Sequence, residues 1–135
     1  SEEQLRLVAE RFAKALDTAD WSTAAALLHP ECRYDCRGSS VIGPALLDGY
    51  RTIDEWVKAT FDAVRYESRV EVEPNQARIH FRDLIDHGPH HLDFRCQQLI
   101  RIDNQNRITN IQHIDLPGEP EKAKAFNQAC QVHPP

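Results

Sequence analysis

The feature that most constrains this chain is a change of hydrophobic period near Tyr66. Before it, apolar residues recur every three or four positions, and after it they recur every two. Leu5, Val8, Phe12, Ala15 and Leu16 form the stripe of an amphipathic helix whose polar face carries Glu10, Arg11 and Lys14. That helix stops near Asp17–Asp20. Asp20 is placed to cap a second, shorter helix running to Leu28, which His29-Pro30 ends. Glu31–Cys36 alternates and reads as a short first strand. Gly38 to Gly49 holds three of the chain's five glycines and reads as a loop with at most one turn of structure. Thr52 and Glu55 have capping-box spacing for a third helix, with Ile53, Trp56, Val57, Phe61 and Val64 as its buried face.

Beyond Tyr66 the chain reads as a four-strand meander. Pro74-Asn75, the segment His87 to His91 and the segment Asp103 to Asn106 are its turns, and Arg107 to Leu116 is its last strand. Glu119 to Gln131 is a terminal helix with Pro120 in its first turn. Helices that precede an antiparallel sheet imply an α+β fold with the helices on one face. The other face, with Glu71, Glu73, Arg78, Arg82, Arg95 and Arg101, is too charged for a core. It is either solvated or a polar dimer interface.

Length and charge narrow the function classes. At 135 residues the expectation is one domain, 1–135. A net charge of −5 without a Lys/Arg run argues against a nucleic-acid partner. No apolar run approaches the roughly 20 residues of a membrane span, and the start lacks a signal pattern, so a cytoplasmic location is expected. Cys32, Cys36, Cys96 and Cys130 include no CxxC pair and are expected to be free thiols. The turn histidines His87, His90 and His91 have no fixed metal-ligand spacing, so no metal site is assigned.

One strand carries an anomaly. In QARIHFRDLID (Gln76–Asp86), Ala77, Ile79, Phe81, Asp83 and Ile85 share a face, and that apolar stripe contains a carboxylate. Asp83 is a structural group hydrogen-bonded to a backbone donor or an inward arginine, or a group that a bulge turns out to solvent, or an inward acid whose pKa desolvation raises toward the range useful for proton transfer. His113 and Asp115 share a face with Ile111, while Ile108 and Ile114 fall on the other, so two registers remain open. In one of them, a carboxylate-oriented imidazole joins Asp83 in a pocket. Tyr34, Cys36 and Gln98 alternate onto inward faces as candidate substrate contacts, and Gln98 can orient a carbonyl without titrating. Trp56, Phe61 and Phe81 are core or pocket wall.

The order of elements resembles the cone-shaped α+β fold of the nuclear transport factor two-like superfamily, with its SnoaL-like cyclases, ketosteroid isomerases and scytalone dehydratases. ALDTADWSTAAALLHPECRYD (Ala15–Asp35), Gly49 to Ile53 and NRITNIQHID (Asn106–Asp115) carry the likeness. It implies N-terminal helices packed on a curved, mostly antiparallel sheet that encloses a pocket, and a homodimer formed through the sheet face. It also implies cofactor-free acid–base chemistry on a small, largely apolar molecule bearing a carbonyl or hydroxyl. Asp83 or His113 would be the acid or base and Asp115 the orienting group. Tyr34, Cys36, Gln98, Trp56, Phe12 and Phe81 would be the substrate contacts. A non-catalytic ligand-binding or interaction domain is the alternative. The well-known active sites do not carry over. Phe12, Cys36 and Gln98 stand where ketosteroid isomerase has a tyrosine and two aspartates. Asp17 keeps an aspartate of scytalone dehydratase, but Leu16, Cys36 and Phe81 replace two tyrosines and the catalytic histidine.

Overall fold

The computed structural model describes residues 1–135. Helices α1 (Glu2–Asp17) and α2 (Trp21–Leu27) lead into strands β1 (Leu28–Cys36) and β2 (Ser39–Ile42). Helix α3 (Leu46–Thr60) precedes β3 (Ala63–Glu73), β4 (Gln76–His87), β5 (His90–Ile102) and β6 (Ile108–Asp115), and α4 (Glu119–Cys130) closes the chain. The six strands form one sheet in the order β2-β1-β6-β5-β4-β3. Only β1 and β6 pair in parallel; every other neighbour is antiparallel. This is an α+β molecule with a curved, unclosed sheet. No helix is long and apolar enough to cross a membrane.

The period-two segments fold as their alternation requires. Ala77, Ile79 and Ile85 of β4, and Leu92, Gln98 and Ile100 of β5, are buried on the helix side. Asn75 and Asn106 take positive φ (64° and 61°) in the turns, a conformation that asparagine tolerates better than most residues. In β6 both Ile108 and Ile111 are buried, which strict alternation forbids. A register shift between Arg101 and Ile102 reconciles them and settles His113 and Asp115 on the inward face.

Four boundaries differ from the sequence expectation. Helix α2 ends at Leu27, and β1 begins at Leu28 rather than Glu31. The 38–49 segment is not a loop: Arg37 and Gly38 turn the chain with positive φ (48° and 81°), and β2 pairs back onto Arg33–Cys36. Thr52 and Glu55 are not a capping box, because α3 already begins at Leu46; Glu55 instead accepts from Arg51 Nε at 2.9 Å. Helix α3 is also rotated from the expected face. Ile53 is 45% exposed, whereas Leu46, Leu47, Asp54 and Val57 are buried. Phe61 and Val64 lie beyond the helix, at its C-cap and in β3.

Gly43 sets the entry to α3. Its φ is +83°, its N–H donates to the Cys32 carbonyl at 2.8 Å, and a Cβ there would meet the Pro30 carbonyl oxygen at 3.0 Å. Gly43→Ala combines left-handed strain with a backbone clash, and we expect it to lower stability by about 1–3 kcal/mol. Urea denaturation of the two proteins measures this directly.

The apolar core is split. A larger cluster of 17 buried residues joins α1 and α2 to the sheet around Phe12, Ile79, Ile100, Ile108 and Ile111. A smaller one, Val57, Phe61, Ile85, Leu92 and Phe126, lies under α4. Between them the inward faces of the strands carry polar groups.

Candidate active site

Asp83 reaches the gap between the clusters from the middle of β4. Tyr66 of β3 and Phe94 of β5 are its direct cross-strand partners, so all three side chains stand on the inward face. The Asp83 carboxylate has no hydrogen bond or salt bridge to any side chain, although its backbone is fully paired in the sheet. Burial pushes its pKa from 3.8 up to about 7, and the carboxylates of Asp17 and Asp54 add to the shift. Asp83, Phe81, Phe94 and Cys96 alternate onto the inward face yet are only half-buried.

Two helices bring the other acids. Asp17, in the last turn of α1, accepts from Ser68 Oγ at 2.7 Å, and burial raises its pKa despite that bond. Asp54 is 8% exposed on the inward face of α3. Lys58 Nζ stands 3.1 Å from both of its oxygens but is aligned to donate only to Oδ2, which leaves Oδ1 without a directed donor. The Tyr66 phenol lies beside Asp54. Burial first, and that carboxylate second, push its pKa well above the ordinary value, so it remains protonated at neutral pH. Lys58 also lies over the Tyr66 ring, 5.8 Å from its centroid.

A second polar group occupies the far wall. Tyr50 Oη donates to Gln98 Oε1 at 2.8 Å, and the Gln98 amide faces His113 Nδ1 at 3.5 Å. His113 Nε2 meets Asp115 Oδ1 at 2.9 Å, and Asp115 receives the Arg37 guanidinium through bonds of 2.6 and 2.7 Å. Because the carboxylate accepts, Nε2 carries the ring proton and Nδ1 is the basic nitrogen. Arg37 holds the Asp115 carboxyl below the usual range, which keeps it an orienting anion rather than a base. Tyr34 packs edge-on to Tyr50, with centroids 5.6 Å apart.

The expected residues are thus gathered in part. Asp83, His113, Asp115, Gln98 and Tyr34 share the interior. Asp83 and His113 do not meet, however: they stand two strands and four residues apart, on the order of 15 Å between backbones. Asp83's charged neighbours are Asp17 and Asp54 instead. Cys96 lies between the two groups and senses both Asp83 and Asp115; burial raises its thiol to about 12, so it is not a nucleophile. Cys36 sits beside Tyr34. Trp56 stacks edge-on to Phe61 at 5.4 Å under α4. Phe12 is 0% exposed, leaving no surface for a ligand to touch; it supports Tyr50 from behind, with centroids 6.3 Å apart. No three His, Cys, Asp or Glu side chains converge as metal ligands do.

Residue-level reading missed Tyr50, Asp54 and Arg37. The first two had a signal: Leu47, Tyr50, Asp54 and Val57 follow helical spacing, once a carboxylate is admitted to the buried stripe.

Solved structures share this architecture. An LEH-like epoxide hydrolase from M. tuberculosis is similar over 94% of this chain and 94% of its own, at 20% identity and a TM-score of 0.65. A polyketide cyclase candidate from Xanthomonas campestris is 13% identical, with 91% and 98% covered and a TM-score of 0.68. A nuclear transport factor two-like protein of unknown function from Cytophaga hutchinsonii is 12% identical, with 82% and 88% covered and a TM-score of 0.60. No family model and no curated protein matches the sequence. These likenesses show that the chain has the nuclear transport factor two-like fold; at such identities they do not carry a reaction.

Proposed function

We propose that the protein is an enzyme that moves a proton on a small, largely apolar molecule bearing a carbonyl or hydroxyl, in the manner of an isomerase, cyclase or dehydratase. The observation that carries this reading is the unpaired Asp83 carboxyl, held near pKa 7 among Phe81, Phe94 and Tyr66. An acid so poised exchanges its proton near neutral pH rather than in the ordinary carboxylate range. It can take a proton from carbon next to a carbonyl or give one to a leaving oxygen. The neutral Tyr66 phenol offers a hydrogen bond to the substrate oxygen, and Phe81 and Phe94 supply apolar walls. His113 serves better as a positioning group than as the base, because the Gln98 amide faces its basic nitrogen. Similar folds in an epoxide hydrolase and a polyketide cyclase candidate support a pocket enzyme in general terms.

The alternative of a non-catalytic domain would be favoured by an arginine neutralising Asp83, and Asp83 has no such partner. The test begins with native mass spectrometry of copurified small molecules, followed by turnover assays on that compound and its carbonyl and epoxide analogues. Asp83→Asn is expected to bind the ligand with little change and to lower kcat by about 10^2–10^4-fold. The wild-type pH profile should inflect near 7, and the variant should lose that inflection. Undiminished turnover in Asp83→Asn would exclude Asp83 as the proton-transfer group.

A further inference from the structure

The outer face of the sheet neutralises most of its charges in place. Glu73 holds Arg78 Nε at 2.6 Å, Glu71 meets His80 Nε2 at 3.0 Å, and Asp93 takes Arg82 through bonds of 2.8 and 3.0 Å. Neutralisation is incomplete at Arg101, and again around Arg69. Arg69 meets no carboxylate, while the glutamates on either side of it in β3 are engaged by Arg65, Arg82 and His80. Arg82 and Arg95 are direct cross-strand partners, an arrangement that repels. Asp93 is committed to Arg82 and stands 3.7 Å from Arg95.

The same place is hollow. A groove of about 480 Å³ is lined by Glu67, Arg69, His80, Arg82, Arg95 and Gln97, among others. Glu67 is its one acidic side chain, and it is already shared by Arg65 at 3.5 Å and Arg82 at 3.4 Å. Three arginines border the cavity: Arg82 is held by Asp93 and Glu67, Arg95 has only Asp93 at 3.7 Å, and Arg69 has no carboxylate, in a chain whose net charge is −5. Gln97 accepts from Arg78 through its carbonyl oxygen at 2.7 Å, which leaves its amide N–H groups free to donate.

We propose that this groove binds a small ligand carrying more than one oxyanion charge, an organic phosphate or a polycarboxylate. Arg69 and Arg95 grip it from two sides and Gln97 adds a neutral donor. Planar guanidinium forks match both kinds of oxyanion and form their strongest hydrogen bonds with them. Its charged side chains alternate onto the face opposite Asp83, although Ser68, Phe81 and Cys96 also border it, and binding there does not depend on the proposed reaction.

Isothermal titration calorimetry of the full chain with pyrophosphate and, separately, citrate tests this at about 50 mM NaCl, where screening is modest. We expect one site per chain for at least one probe, with a Kd below about 1 mM that weakens as salt is added. The preferred probe separates phosphate from carboxylate ligands. Arg69→Ala and Arg95→Ala should each weaken binding about ten-fold, as loss of a charge-assisted hydrogen bond does, and Asp83→Asn should leave it unchanged. No saturable binding of either probe up to about 10 mM would overturn the proposal, as would binding that both alanine variants leave intact. So would a dimer that covers the groove and excludes both anions.

Discussion

Asp83→Asn makes the protein more stable at pH 8, by about 2 kcal/mol, and by only roughly a few tenths of a kcal/mol at pH 4. The sign follows from linkage. A carboxyl raised from 3.8 to about 7 binds its proton more tightly in the folded state than in the unfolded chain. Between those two values the unfolded state has already ionised while the folded state has not. Stability therefore falls as pH rises through that window and levels off above it. The full displacement is worth at most about 4 kcal/mol; half of that is expected because solvent reaches one side of the carboxyl. Asparagine keeps the shape and removes both the ionisation cost and the repulsion from Asp17 and Asp54. Urea melts of both proteins at pH 4 and pH 8 measure the difference. Equal stabilities at pH 8 would mean that Asp83 is solvated or paired in solution. A gain in stability with a loss of turnover would mark a position held for function at a cost in folding energy.

The second large effect concerns Phe12. Replacing it with alanine is expected to cost about 3–5 kcal/mol. Its ring is wholly buried in the larger cluster, and α1 cannot collapse onto the sheet to fill the space without moving Tyr50. The loss should also reach the site, because Tyr50 is the anchor of the Gln98–His113–Asp115–Arg37 chain. Thermal denaturation reads the stability, and ring-proton NMR of His113 reads the disturbance. A cost below about 1 kcal/mol would mean that Phe12 lines open space, as a substrate contact would.

These two residues show where the sequence was readable and where it was not. The meander was legible because alternation, Pro74-Asn75 and the 103–106 turn all agree, and the same alternation pointed Asp83 inward while leaving open a bulge that would turn it out. The last strand resisted because a bulge lets Ile108 and Ile111 both be buried, which no strict period describes. Helix α3 was misjudged by rotation. Ile53 and Trp56 are the conspicuous apolar residues, but Asp54 takes the buried place, with Lys58 one turn on to engage it. Strand β2 was hidden because its pairing depends on a positive-φ Arg37-Gly38 turn, and arginine does not advertise that conformation. The company of Asp83 was beyond sequence altogether. Asp17 and Asp54 lie 66 and 29 positions away from it in the chain (83 − 17 and 83 − 54) and approach only because α1 and α3 dock on the same sheet face.

The central claim is that Asp83 is an unpaired interior acid that changes protonation near neutrality, and its own titration tests that most directly. The carbon-13 shift of the Asp83 carboxyl, assigned by comparison with Asp83→Asn, should move with a midpoint near pH 7. A midpoint at or below about 4.5, within the ordinary carboxylate range, would contradict the account.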